Sequence, residues 1–228
     1  MFTDLLVGLL KLSLINIVLS GDNAVVIALA SRNLPVHQQK KAVYWGSIGA
    51  IGLRLILTFA AVWLLHIPFV QILGGLLLLY IAVKLLINDS EDEHIQSGSK
   101  LSEAIKTIII ADLVMSLDNV LAVAGAANGN LFLIGLGLAV SIPLIMWGSQ
   151  LIMRLMKRFP IIVLVGAGLL GYTAGEMILG DKAVQHFMDT TLHAGHYAIP
   201  LVLAVLVIAV GRAISRRREL LSVGGLQK

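Results

Sequence analysis

Apolar residues run along this chain in long stretches separated by short polar breaks. A helix needs roughly 20 mainly apolar residues to cross a bilayer. Seven stretches qualify: 4–30, 40–64, 69–88, 103–127, 131–153, 160–180 and 197–214. The pattern predicts an all-α membrane protein of seven transmembrane helices. The longest polar break, 89–102, carries Asp89, Glu91, Asp92, Glu93, His94 and Lys100, and reads as a solvated acidic linker rather than a metal-binding loop.

The pattern also repeats. Ile15-Asn-Ile-Val-Leu-Ser-Gly-Asp-Asn-Ala24 matches Ala111-Asp-Leu-Val-Met-Ser-Leu-Asp-Asn-Val120, 96 residues on. Pro68, Gly74, Tyr80 and Asp89 match Pro160, Gly166, Tyr172 and Asp181, 92 residues on. Helices 1–3 therefore correspond to helices 4–6. An odd number of helices per repeat makes the second half enter the membrane from the opposite face. That predicts an inverted 3+3 repeat plus a C-terminal helix, a construction usual in secondary transporters, with the site near the midplane. The chain divides into repeat 1 (1–88), an acidic cytoplasmic linker (89–102), repeat 2 (103–180), and a last part (181–228) holding an external loop, helix 7 and a basic cytoplasmic tail.

Composition agrees with the membrane reading. Of the 228 residues 58% are apolar and 13% charged, against about 45–50% and roughly 25% in soluble domains. The mean hydropathy is +0.93. With no cysteine, disulfides, thiolate metal sites and thiol catalysis are excluded. The pI near 9.5 does not point to nucleic acid, because the basic residues cluster at helix ends on one side. Arg32, Lys40, Lys41, Lys100, Lys106, Arg154, Lys157, Arg158, Arg212, Arg216, Arg217, Arg218 and Lys228 stand against Lys182 alone on the other side. This asymmetry places a multi-pass protein in the cell inner (plasma) membrane, N-terminus outside and C-terminus cytoplasmic. The N-terminus itself reads as the start of a first span rather than a signal peptide. A reporter fused after Lys228 should be cytoplasmic and one near 127–130 external. An external C-terminus would overturn the assignment of sides.

The repeated element, S-x-D-N, supplies Ser20, Asp22 and Asn23 in helix 1 and Ser116, Asp118 and Asn119 in helix 4. Asn16 and Asp112 stand four residues before each serine. All lie near mid-span, where a carboxylate costs roughly 2.5–3.5 kcal/mol on insertion scales. Polar glue between helices needs only Asn and Ser, so three carboxylates point to a site. Asn16, Ser20 and Asn23 share one helix face within about 60°, as do Asp112, Ser116 and Asn119. Asp22 and Asp118 lie about 100° from the neighbouring asparagines. Either the polar stripe is wide or the helix is interrupted, for which Gly21 suits helix 1.

Carboxylates, amides and hydroxyls without sulfur or buried histidine suit hard divalent cations such as Mn²⁺, Mg²⁺ or Ca²⁺. The histidines sit in loops or at helix ends, and His186, His193 and His196 read as a polar loop ahead of an accessory metal site. Glu176 and Arg54 fall in the outer half and are candidates for a gate or an ion pair, whereas Lys84 and Lys11 read as snorkelling cations. No phosphate-cradling G-x-x-x-x-G-K-[ST] loop and no hydrolase motif is present, so neither ATP use nor enzymatic activity is expected.

The paired motifs S-G-D-N-A (20–24) and S-L-D-N-V (116–120), the seven spans and the acidic linker resemble the TerC family, in its short YjbE-like branch. The likeness covers helices 1–6. It implies membership of the LysE-type transporter superfamily and Mn²⁺ efflux, with the intramembrane acids of both motifs as ligands. Leu117 in place of Gly21 and Asp112 in place of Asn16 make the two half-sites inequivalent. The expectation is thus a secondary transporter exporting Mn²⁺ as substrate, without a permanently bound cofactor, by exchange for protons, with Asp112 carrying the proton. The partners expected are the divalent ion and the lipid bilayer, with no nucleic acid; oligomeric state is not set by the sequence. Two rivals remain: an exporter of another small cation or amino acid, and a non-transporting membrane-protein assembly factor, as the plant members of the family suggest.

Overall fold

A computed structural model describes residues 21–64, 67, 69–87, 97–126, 131–184 and 195–225. Among these the secondary structure is helical throughout. The helices are α1 (Gly21–Ser31), α2 (Val36–Leu64), α3 (Val70–Ile87), α4 (Ser97–Ala126), α5 (Leu131–Arg158), α6 (Ile161–Gly180) and α7 (Gly195–Gly225). Among the described residues four stretches are long and apolar enough to cross a membrane: Val70–Ile87, Gly135–Arg158, Ile161–Gly180 and Tyr197–Arg217. The protein is an all-α membrane protein.

Local chemistry sets the helix ends. The turn after α1 closes with Leu34 N–H on the Ser31 carbonyl at 3.1 Å, and Pro35 leads into α2. Proline suits a helix start, where its missing N–H has no role and its fixed φ is already helical. The Pro35 carbonyl accepts from the Gln38 and Gln39 N–H groups at 2.8 and 3.0 Å. Gln39 then folds its side-chain amide back to donate to the carbonyls of Arg32 (3.0 Å) and Leu34 (2.9 Å). Buried carbonyls left open by the ended helix are thereby satisfied. Leu34 and Ala42 pack with Ala104, flanked by Leu101 and Ile105, so this turn is held on the early part of α4. At the end of α6, Asp181 leaves the helix with an extended backbone, and its buried carboxylate accepts from Ala183 N–H at 3.0 Å.

The chain forms two compact units. One comprises Met1–Ile67 with Lys100–Leu155, the other Pro68–Ser99 with Met156–Lys228. Each draws on both halves of the sequence, so spatial division and sequence likeness follow different boundaries.

In the second unit α3, α6 and α7 pack on one another, and Leu78, Leu170 and Val207, one from each, are fully buried. Lipid is as apolar as leucine, so close van der Waals fit rather than water exclusion holds such helices together. Gly175 shows the closeness required. A Cβ there would lie 2.6 Å from the Cα of Pro200, a backbone atom that cannot swing aside. The outward faces stay apolar: Leu73, Val165 and Val205 are 65%, 62% and 65% exposed. Water would penalise such a surface, but hydrocarbon does not.

In the first unit α2 crosses α4 with the Ile108 side chain lying against Gly46. That approach brings the polar residues of the two helices together.

Candidate functional site

α4 runs unbroken from Ser97 to Ala126, so the second motif does not interrupt its helix. Asp112 and Ser116 are one turn apart on that helix, both buried, and Ser116 Oγ donates to Asp112 Oδ2 at 3.2 Å. The helical spacing read from the sequence thus does bring them onto one face. The interruption expected at Gly21 falls at the edge of the described residues, where α1 is first described. Asn16, Ser20 and Lys11 lie outside them, as do Glu91, Asp92, Glu93, His94, His186 and His193, and the side chains of Asp118, Asn119 and His196.

Arg54 completes the cluster. Its guanidinium, on α2, donates from Nη2 to Asp112 Oδ1 at 2.6 Å and from Nε to Ser116 Oγ at 2.8 Å. The ion pair is shielded on both sides, Arg54 as a whole being 4% exposed. Arg54 had been a candidate for an outer gate or for pairing with Glu176. In the first unit its charge meets that of Asp112, and Glu176 is an exposed residue of the second unit. Thr58 Oγ1 donates to the Arg54 carbonyl at 2.8 Å one turn further along α2.

Asp112 and Arg54 line a small cavity together with Asn23 of α1 and Ser47 of α2, and its remaining wall includes Ile27, Ile142 and Ile145. The cavity has room for a guest of about one water molecule. Asn23 is buried, and neither its amide oxygen nor its amide nitrogen has a hydrogen-bond partner among the described residues; the same holds for Ser47 Oγ. Leaving a buried polar group unsatisfied costs about 1–3 kcal/mol; Ser31 Oγ and Gln38 Oε1, which do not line this cavity, also lack a hydrogen-bond partner among the described residues. Asp22, half-buried beside Asn23, accepts from Asn23 N–H at 2.9 Å and lies within electrostatic reach of Arg54 and Asp112.

The site therefore unites Asp22, Asn23, Asp112 and Ser116 from the sequence motifs with Arg54 and Ser47. Ser47 was not anticipated. Its signal was the small residues around it, Gly46, Gly49 and Ala50, which let neighbouring side chains such as Ile108 and Ile109 approach closely. Among the described residues no three His, Asp or Glu side chains converge on one point. The oxygen donors are instead mixed: carboxylate, amide and hydroxyl.

Comparison with known proteins agrees with the chain's motifs. The pattern of the integral membrane protein TerC family matches residues 1–219. The chain is 48% identical over 206 residues to the membrane protein YjbE of Bacillus subtilis (strain 168), covering 90% of this chain and 92% of that one. It is 26% identical over 227 residues to the inner membrane protein YgdQ of Escherichia coli (strain K12), covering 92% and 93%. With the membrane protein YkoY of Bacillus subtilis it shares 26% identity over 201 residues, 78% of this chain and 61% of the relative. No solved structure matches. With the family pattern matched over residues 1–219 and a relative 48% identical over nine-tenths of its length, the chain belongs to the TerC family of integral membrane proteins.

Proposed function

We propose that this protein is a secondary transporter that exports divalent metal ions, foremost Mn²⁺, from the cytoplasm in exchange for protons. One observation carries the reading: the buried amide of Asn23, without a partner among the described residues, lies on the same cavity as the Asp112 carboxylate. An oxygen-only donor set with an unsatisfied neutral member suits a hard cation. Asp22 and the motif acid Asp118 complete the ligand set, with Asn119, Ser20 and Asn16 as further donors from the motifs. Arg54 already neutralises Asp112, so the proton exchanged for metal falls to Asp22 or Asp118 rather than to Asp112. The seven spans, the inverted 3+3 repeat, and a plasma-membrane location with the C-terminus in the cytoplasm belong to the same proposal.

The deciding measurement is elemental analysis of cells grown under manganese stress, with and without the protein. Cellular manganese should be several-fold lower with it. Equal manganese content in the two cultures would remove the export reading.

A second reading has an observation of its own. The closely hydrogen-bonded Arg54–Asp112–Ser116 cluster also suits a non-transporting assembly factor, in which buried charges join helices. That reading predicts that neutralising Asp22 leaves function intact.

A further inference from the structure

A guanidinium has hydrogen-bond donors only. On Asp112 it occupies the carboxylate oxygen that a metal ion would need, and Ser116 donates to the other oxygen. The cavity beside them holds two buried oxygens, of Asn23 and Ser47, that lack partners among the described residues. A charge already balanced thus stands next to neutral donors that are not. Such an arrangement fits one of two alternating occupants of the same carboxylate.

We propose that Arg54 is a tethered stand-in for the transported cation, holding Asp112 in the metal-free protein and leaving it when a metal ion enters the cavity between Asn23, Ser47 and Asp112. This rests on the export reading above and assigns a residue to its return step. With Arg54 in place, the empty site keeps a balanced charge and can change its access without carrying a bare carboxylate through the membrane. The tether also selects. A monovalent ion restores only the charge it displaces, whereas a divalent ion brings one more, so sodium and potassium gain little by entering. Only one half of the chain has this device: the positions 92 and 96 residues on from Arg54 are Met146 and Gln150, neither of them a cation.

The test uses the purified full chain in proteoliposomes, with Mn²⁺ as the probe. In Arg54→Gln the internal competitor is gone, so Mn²⁺ should bind at least threefold tighter, and 100 mM-scale potassium should now weaken that binding. Net Mn²⁺ efflux needs the empty protein to return, while Mn²⁺/Mn²⁺ exchange does not. Net efflux should therefore fall at least tenfold more than exchange. Arg54→Lys, which keeps the tethered charge, should restore the ratio of net flux to exchange. Mn²⁺ should also raise the Tm of Arg54→Gln more than that of the unaltered protein, since the metal takes over the missing positive charge. If Arg54→Gln does not fold, infrared difference spectra of the unaltered protein with isotope-labelled arginine serve instead: saturating Mn²⁺ should shift a guanidinium band. Equal losses of binding, exchange and net efflux in Arg54→Gln, or guanidinium bands indifferent to bound Mn²⁺, would overturn the tether alone. Failure of the unaltered protein to bind or move Mn²⁺ would overturn the tether and the export reading together.

Discussion

Asp22→Asn and Asp118→Asn should each leave the protein in the membrane at normal abundance and lower Mn²⁺ export at least tenfold. The substitution keeps the volume of the side chain and removes the charge that attracts a dication. Insertion should become easier, because an aspartate at mid-span costs roughly 2.5–3.5 kcal/mol on insertion scales. At Asp22 the local fold has little to lose. The carboxylate accepts from the neighbouring Asn23 N–H at 2.9 Å, and an amide oxygen can take its place. A defect in export with unchanged abundance, measured by membrane immunoblot beside metal uptake into inverted vesicles, separates chemistry from folding. Near-normal manganese resistance in both variants would sink the ion-site reading and raise the assembly-factor one.

The second large effect concerns stability rather than transport. Arg54→Met or Asp112→Leu alone should destabilise the metal-free protein by about 3–5 kcal/mol, because each leaves one buried charge without its partner. Replacing both together should recover most of that loss, since a buried ion pair is often no better than well-packed apolar residues of similar volume. Thermal unfolding of the purified protein in detergent would show this as a fall in Tm on the order of 10 °C for each single variant. The double variant should stay folded yet fail to export. A double variant as unstable as the singles would mean that the cluster matters through its shape and not its charges. These expectations also alter what Asp112→Asn can reveal. Read from the sequence as the proton carrier, Asp112 promised a clean loss of proton coupling. Paired with Arg54, the same substitution takes the Asp112 charge away from a buried guanidinium, and its effect on coupling has to be read beside its effect on Tm.

The helices were legible because a membrane demands long apolar runs. The stretches 69–88 and 160–180 became α3 (Val70–Ile87) and α6 (Ile161–Gly180) with little change. Elsewhere the helices outrun the spans. α5 continues past 153 through Arg154, Lys157 and Arg158, and α7 past 214 through Arg216 and Arg217. A span ends where apolar residues end, whereas a helix ends where its backbone hydrogen bonds do, and charged residues form good helix in water. Within the site, the facing of Asp112 and Ser116 followed from helical spacing alone. The partnership of Arg54 did not. Periodicity tells which residues share a face, but not which helix lies against it or how the two are shifted along each other. Counting from the ends of 40–64 gives a depth for Arg54 but no neighbour, and the packing of α2 against α4 supplies Asp112. A chemical clue was nevertheless there: a lone mid-chain arginine in an apolar run needs a carboxylate, and the chain has few to offer.

The division of the chain into interleaved units also bears on how the protein is made. Arg54 and Asp112 are 58 residues apart, and the residues between them include all of α3, which belongs to the other unit. At about 5–20 residues per second, a ribosome presents the arginine roughly 3–12 seconds before its aspartate exists. In that interval α2 lacks the aspartate that its arginine meets in the finished fold, and the acids already made, Asp22 among them, have to balance it. Insertion of α2 is thus provisional until α4 emerges. That makes the newborn first half a natural client for the translocon or a membrane chaperone, and a point at which quality control can recognise an unfinished chain.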